Sequence, residues 1–199
     1  MPSAGDVRIG ISGWRYKPWR GVFYPKDLPQ KKELEYAASV FRSVEINGTF
    51  YSLQRPESFE KWAAEAPDDF VFAVKRSRFI THMKRLKDVE APLASFLASG
   101  IFRLGRKPGP ILWQLPPNFS FEPERVEAFL KLLPRDSERA EAVASCHDRR
   151  VEGRAETRFD VKLRLRHAIE IQHESFVTKE FIDMPRAYPI MSRLLVRIP

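Results

Sequence analysis

Two hydrophobic periods alternate along this chain, and the points where one gives way to the other divide it into a repeating unit. Residues 7–12 (VRIGIS) form a short β-branched run ending in Ser-Gly, the pattern of a strand entering a loop. Residues 31–41 place Leu34, Ala37, Ala38 and Phe41 at helical spacing. SVEI at Ser43–Ile46 returns to strand length. Residues 56–66 open on Pro56 and carry Phe59, Trp62, Ala63 and Ala66 on one helical face. FVFAV at residues 70–74 is a continuous apolar run, which predicts a strand buried on both faces. Residues 88–99 read as a helix with Val89, Leu93, Phe96 and Leu97 inward and Gly100 as its stop. A fourth strand is predicted at 110–115 (PILWQL), where Trp113 should face the helices. A fourth helix follows at 123–133, with Pro123 in its first turn and Val126, Phe129, Leu130 and Leu133 aligned. HAIEI at His167–Ile171 gives a fifth strand, residues 176–184 a weaker fifth helix, and residues 194–198 at most a sixth strand.

Strands and helices that alternate in this way predict a parallel sheet with crossover helices. An open nucleotide-binding sheet would place G-x-G-x-x-G after the first strand; here that turn reads GISGWRYKPW, long and aromatic. The strand ends carry Glu45, Asn47, Lys75 and Gln114, which suits the mouth of a barrel. The fold class expected is therefore α/β, a TIM-like (β/α)8 barrel, incomplete, with about five of its βα units present. Residues 1–184 form the domain. Residues 134–166 interrupt the rhythm as a long polar loop, and Pro185 and Pro189 sit where a helix should finish and a strand begin, so residues 185–199 are expected to be an aberrant tail. Such a chain would leave its first and last strands as edges.

Charge adds a direction to this picture. The 199 residues carry a formal net charge of +8, which favours anionic partners: an anionic small molecule or a nucleic acid. Arginine-rich solvation of the surface is the plainer reading of the same number. No apolar run approaches the roughly 20 residues of a membrane helix, and the N-terminus has no basic stretch followed by an apolar one. Cys146 is the single cysteine, so a cysteine metal cluster and an internal disulfide are both excluded. A cytoplasmic protein without membrane attachment is expected.

Candidate chemistry follows from the strand ends. Glu45 and Asn47 are two apart and point the same way. Glu45 is either a general base or the buried partner of Lys75. Asn47 would clamp a substrate. Lys75 opens the densest basic stretch, KRSRFITHMKRL, in which Lys75 and Arg78 would neutralise an anion unless the stretch is merely solvated. His82 and His173 lie just beyond strands and suit acid–base work, whereas His147 and His167 are read as structural or solvent-exposed. Gln114 would orient a substrate by its amide. A metal bound by Glu45, His82, His173 and Glu174 is conceivable, but no H-x-H or H-E-x-x-H spacing supports it, so neither a metal nor a cofactor is expected. In the first loop Trp14 and Tyr16 are the stacking candidates, while Trp19, Phe23 and Tyr24 should pack, with Phe50 and Tyr51 as partners.

Several of these stretches together resemble the YecE-like family, domain of unknown function 72: GISGWRYKPWRGVFYP, VEINGTFYSLQRPESFEKW, FVFAVKRSRFITHMKRL, GPILWQLPPNF and RHAIEIQHESF, in family order from residue 9 to about 184. The resemblance implies a TIM-barrel-like fold and no particular activity. Family members continue through further strands, so a frameshifted or truncated gene product is expected. Gln172 stands where the family usually carries arginine before His173, which weakens an anion-binding role there. Three functional expectations result: an enzyme using Glu45 with His82 or His173 on an anionic, nucleotide-like substrate; a nucleic-acid-binding protein without catalysis; and a fragment without function.

Overall fold

The structure is a computed structural model, and it describes residues 7–188 and 191–196. Six strands build one sheet: β1 (Gly10–Ser12), β2 (Ser43–Ile46), β3 (Val71–Lys75), β4 (Pro108–Gln114), β5 (His167–Ile171) and β6 (Met191–Val196). They lie side by side in chain order, and every neighbouring pair is parallel. The helices between them are α1 (Glu33–Val40), the single turn α2 (Gly48–Tyr51), α3 (Pro56–Ala64), α4 (Glu90–Leu97), α5 (Pro123–Leu132), α6 (Ser137–Ala144) and α7 (Lys179–Ala187). Among the described residues β1 and β6 are the two edges and the sheet is open, with the unpaired first and last strands expected of a chain too short to close a barrel.

Parallel strands that advance in one direction, joined by right-handed crossovers, carry their helices on one face. That face holds the core. Val44 and Ile46 of β2, Phe72 and Val74 of β3, Trp113 of β4 and Ile169 of β5 are all buried. Trp113 meets Phe129 of α5 edge-to-face at 4.8 Å, as its place in PILWQL predicts. β3 is not buried on both faces: Phe72 and Val74 are buried, while Val71, Ala73 and Lys75 between them are half-buried. A continuous apolar run hid this alternation, because Val71 and Ala73 are small enough for the thinner side of the sheet.

The stretch 134–166 is more ordered than a polar loop. Asp136 caps α6 by accepting from the Arg139 amide at 2.8 Å. Ala140 and Ala144 are buried, and α6 packs on α4. Alanines give a weak apolar signal while allowing two helices to approach closely, which is why the pattern concealed this helix. A 3-10 turn follows at Arg149–Val151, and Phe159 stacks on Phe102 at 3.7 Å. The segment returns by backbone bonds from Leu165 to Arg135 and from Ser137 to Leu163.

The C-terminal expectations also shift. The last helix is preceded by a 3-10 turn at Glu174–Phe176 and runs through Pro185 rather than stopping there. In the stretch expected to be an aberrant tail, β6 pairs with β5 from His167↔Met191 to Ile171↔Val196. Pro189 and residues 197–199, the last including the end of the expected 194–198 strand, lie outside the described residues.

Candidate functional site

The C-terminal ends of β1 to β4 converge on a pocket of about 540 Å³. Its walls are Trp14, Tyr16, Phe50, Tyr51 and Trp62, and its polar groups are Ser12, Arg15, Asn47, Gln54, Lys75 and Gln114. Strand alternation explains the floor. Ser12, Glu45, Lys75 and Gln114 stand on the face turned away from the helices, and the register sets Ser12 opposite Glu45.

The loop after β1 makes the aromatic wall. Gly13 has φ +76°, a left-handed conformation that favours glycine. A β-carbon there would meet the Tyr16 hydroxyl at 2.8 Å. The Tyr16 hydroxyl donates to the Ser12 carbonyl, and the Tyr24 hydroxyl donates to the Trp14 carbonyl at 2.6 Å. Trp14 is 7% exposed, edge-to-face with Trp62 at 5.4 Å. Trp19, Phe23 and Tyr24 pack together, as expected, but their partners are Tyr36 and Phe41 rather than Phe50 and Tyr51. The fully buried Glu33 ties this loop down by accepting from Arg20 Nε at 2.8 Å. Burial and the nearby Glu33 carboxylate push the Tyr24 phenol up to about 12.

Beneath the pocket the polar groups form a directed network. Ser12 donates to Glu45 Oε1 at 3.0 Å, and Asn47 Nδ2 donates to Ser12 Oγ at 3.0 Å and to the Tyr16 oxygen at 3.5 Å. Lys75 Nζ lies 3.8 Å from Glu45 Oε1 and 5.4 Å from the centre of the Phe50 ring. The ion pair weighed from the sequence is therefore present, and it borders the pocket rather than being sealed in the core. Glu170, on β5, accepts from Gln114 Nε2 at 2.8 Å and from Gln172 Nε2 at 3.0 Å, so Gln172 joins the floor's support.

Of the residues singled out in the sequence, Trp14, Tyr16, Asn47, Lys75 and Gln114 line the pocket, with Glu45 directly below. His82 sits one layer back, edge-to-face with Phe50 at 5.2 Å, its Nδ1 2.9 Å from the Thr81 hydroxyl. Burial, then Lys75 and Arg78, lower its pKa, so the ring is neutral at pH 7. Arg78 is exposed on the turn before the π-helix Phe79–Met83. His173 stands apart: its Nδ1 accepts from the Ser175 amide at 3.2 Å and caps the turn Glu174–Phe176. Sequence reading missed Ser12, Trp62, Gln54 and Glu170. Glu170 was legible, because it is the one charged residue inside HAIEI, whereas Trp62 was read only as a helix core position.

The basic stretch after β3 contains a further surprise. Arg76 is 1% exposed, its guanidinium 3.9 Å from the Phe96 ring centre and 5.3 Å from that of Trp113. Nη2 donates to the Pro92 carbonyl at 2.8 Å, and Nε and Nη1 have no hydrogen-bond partner among the described residues. Burial, with Arg150 nearby, lowers its pKa well below the ordinary arginine range. Among the described residues no helix is long and apolar enough to cross a membrane.

Comparison with known proteins sets this site in context. YunF of Bacillus subtilis is 32% identical over 130 residues, 63% of this chain and 45% of that protein. YecE of Escherichia coli K12 is 30% identical over 131 residues, 64% of this chain and 44% of that protein. The matched region is thus less than half the length of either relative. A crystal structure of a DUF72 family protein from Thermotoga maritima superposes with a TM-score of 0.64 at 25% identity, covering 92% of this chain and 62% of that one. A second, from Enterococcus faecalis, gives a TM-score of 0.62 at 17% identity, covering 94% and 59%. The model of the family described as "protein of unknown function DUF72" matches residues 8–193, and the chain belongs to that family.

Proposed function

We propose that the pocket at the ends of β1 to β4 is a catalytic site for a small anionic substrate, with Lys75 as the anion-binding group and Glu45 as the general base. The observation that carries this reading is the row Ser12–Glu45–Lys75, with 3.0 and 3.8 Å between its members, beneath an aromatic pocket of about 540 Å³. A pocket of this volume suits a ligand of drug or metabolite size. The Lys75 ammonium supplies charge, Glu45 can take a proton through Ser12 or directly, and Trp14 and Tyr16 give the substrate a flat wall. His82, behind Phe50, is given no part in this chemistry.

The sheet's order supports a barrel as the frame for this chemistry. Parallel strands in strict sequence, with helices on one face, are the topology of a (β/α)8 wall, and the site lies at the strands' C-terminal ends, where such folds place catalysis. The test is binding of small phosphate and carboxylate esters, followed by calorimetry, to the protein and to Lys75→Met. Saturable binding lost in the variant is expected. Binding unchanged in Lys75→Met would overturn the assignment of the anion to Lys75.

A further inference from the structure

The rim around the pocket mouth carries charge of one sign. Three segments follow the C-terminal ends of the first strands: residues 13–25 after β1, 47–55 after β2 and 76–87 after β3. Together they hold nine arginines and lysines and no aspartate or glutamate. Three of the nine are occupied: Arg20 pairs with Glu33, Arg76 is buried, and Arg85 donates to Asn118 in the loop after β4. The other six, Arg15, Lys17, Arg55, Arg78, Lys84 and Lys87, have no carboxylate partner among the described residues. All but the half-buried Lys84 are exposed. Glu45, in the floor beneath, is already engaged by Ser12 and Lys75. With no carboxylate in these segments to offset the charge, the rim attracts a polyanion.

Aromatic rings lie among these cations. Tyr51 is 70% exposed and Tyr16 38%, and both line the mouth together with Arg15. Open rings beside unpaired cations are what hold single-stranded nucleic acid, because bases stack on the rings while the cations follow the phosphates. A duplex is not matched in the same way. The helical turns in these segments, Lys17–Trp19, Gly48–Tyr51 and Phe79–Met83, are five residues or shorter, too short to lie along a major groove. For the same reason the rim has no amphipathic helix to lay on an anionic bilayer. We propose that this rim is a binding site for single-stranded nucleic acid, with phosphates following the cations across the mouth and a base resting on Tyr51. The site goes beyond the small-anion reading above and needs neither Glu45 nor Lys75, so the two can fail separately.

Fluorescence anisotropy of the whole chain with a labelled oligothymidylate of about fifteen nucleotides would test it, beside a mixed-sequence duplex of the same length and vesicles of phosphatidylserine and phosphatidylcholine. Contact with about four phosphates predicts an affinity that falls about fiftyfold as salt rises from about 50 to 200 mM. Tyr51→Ala should weaken binding about tenfold and leave the salt slope unchanged. Arg15→Glu combined with Arg78→Glu should weaken binding and flatten the slope. Lys162→Glu combined with Arg164→Glu makes the same change of net charge on exposed residues before β5, at the opposite end of the strands, and should keep most of the affinity. Thermal melts identify a variant that fails to fold, and the remaining variants then carry the test. Equal losses in the two double variants would reduce the effect to net charge and overturn the site. Duplex binding as tight as single-strand binding, or Tyr51→Ala without effect, would overturn the single-strand assignment. Capture by vesicles without oligonucleotide binding would overturn it in favour of a membrane surface. Loss of phosphate-ester binding in Lys75→Met bears only on the pocket.

Discussion

Acidification should weaken this fold at one buried residue, His167. The ring is fully buried at the start of β5. Its Nδ1 accepts from Trp113 Nε1 at 3.1 Å, so its proton sits on Nε2, 2.9 Å from the Pro134 carbonyl. Burial lowers its pKa from 6.5 to about 4, against the opposing pull of the Pro134 carbonyl. A second proton would have to go on Nδ1, where it would point at the Trp113 N–H. The direction of the effect follows from the order of the two values. The unfolded chain takes a proton near pH 6.5 that the folded chain refuses until about pH 4, so stability falls as pH falls through this window and levels off below it. At 1.36 kcal/mol per pKa unit, the loss between pH 7 and pH 4 is about 3 kcal/mol, a large part of a small domain's stability. Urea unfolding followed by tryptophan fluorescence at several pH values would measure it. His167→Gln is the control, since a glutamine can accept from Trp113 and donate to Pro134 without titrating. The carboxylates contribute equally to both proteins, so the difference between their pH curves isolates the histidine. Parallel curves would refute the reasoning.

Three further outcomes are expected. Arg76→Met should raise the melting temperature, by the equivalent of about 1–2 kcal/mol, because the buried guanidinium has two unpartnered nitrogens and Pro92 lies within α4, whose own ladder serves its carbonyl; a lower melting temperature would show that stacking on Phe96 outweighs desolvation. Gly13→Ala should cost about 1–2 kcal/mol in chemical denaturation, since the left-handed backbone and the close Tyr16 hydroxyl both oppose a β-carbon. Arg154 donates to the Gln54 carbonyl at 2.6 Å, so Arg154→Ala should speed amide hydrogen exchange over residues 48–55 and leave β4 and β5 protected.

What the sequence disclosed depended on how each element makes its contacts. β2 and β5 were legible to the residue because their apolar runs are bounded by polar or turn-forming neighbours. α6 was not, since it packs through Ala140 and Ala144, whose small side chains allow close approach but hardly mark a face. For the candidate site, polar residues at strand ends were enough to bring Glu45, Lys75 and Gln114 together, because alternation fixes where they point, whereas Asn47 reaches the pocket from the cap of α2, just past the end of β2. Alternation cannot say what a loop histidine does. His82 and His173 carry the same chemistry in the sequence, yet one packs behind Phe50 and the other caps a turn. Arg76 shows the converse limit: a basic stretch promises solvent, and one of its members lies buried among aromatic rings.

The hydrogen bond from Arg154 to Gln54 joins residues 100 apart in a sheet whose strands otherwise pair with their neighbours in sequence. During synthesis each strand can add to the one before it as it emerges. The wall of the pocket that holds Phe50, Tyr51 and Gln54 has a different schedule, because its anchor arrives only after four strands are complete. Binding capacity would then be acquired late in folding, after the sheet beneath the pocket is already in place, and a nascent chain shorter than residue 154 would present the polar floor without a fastened rim.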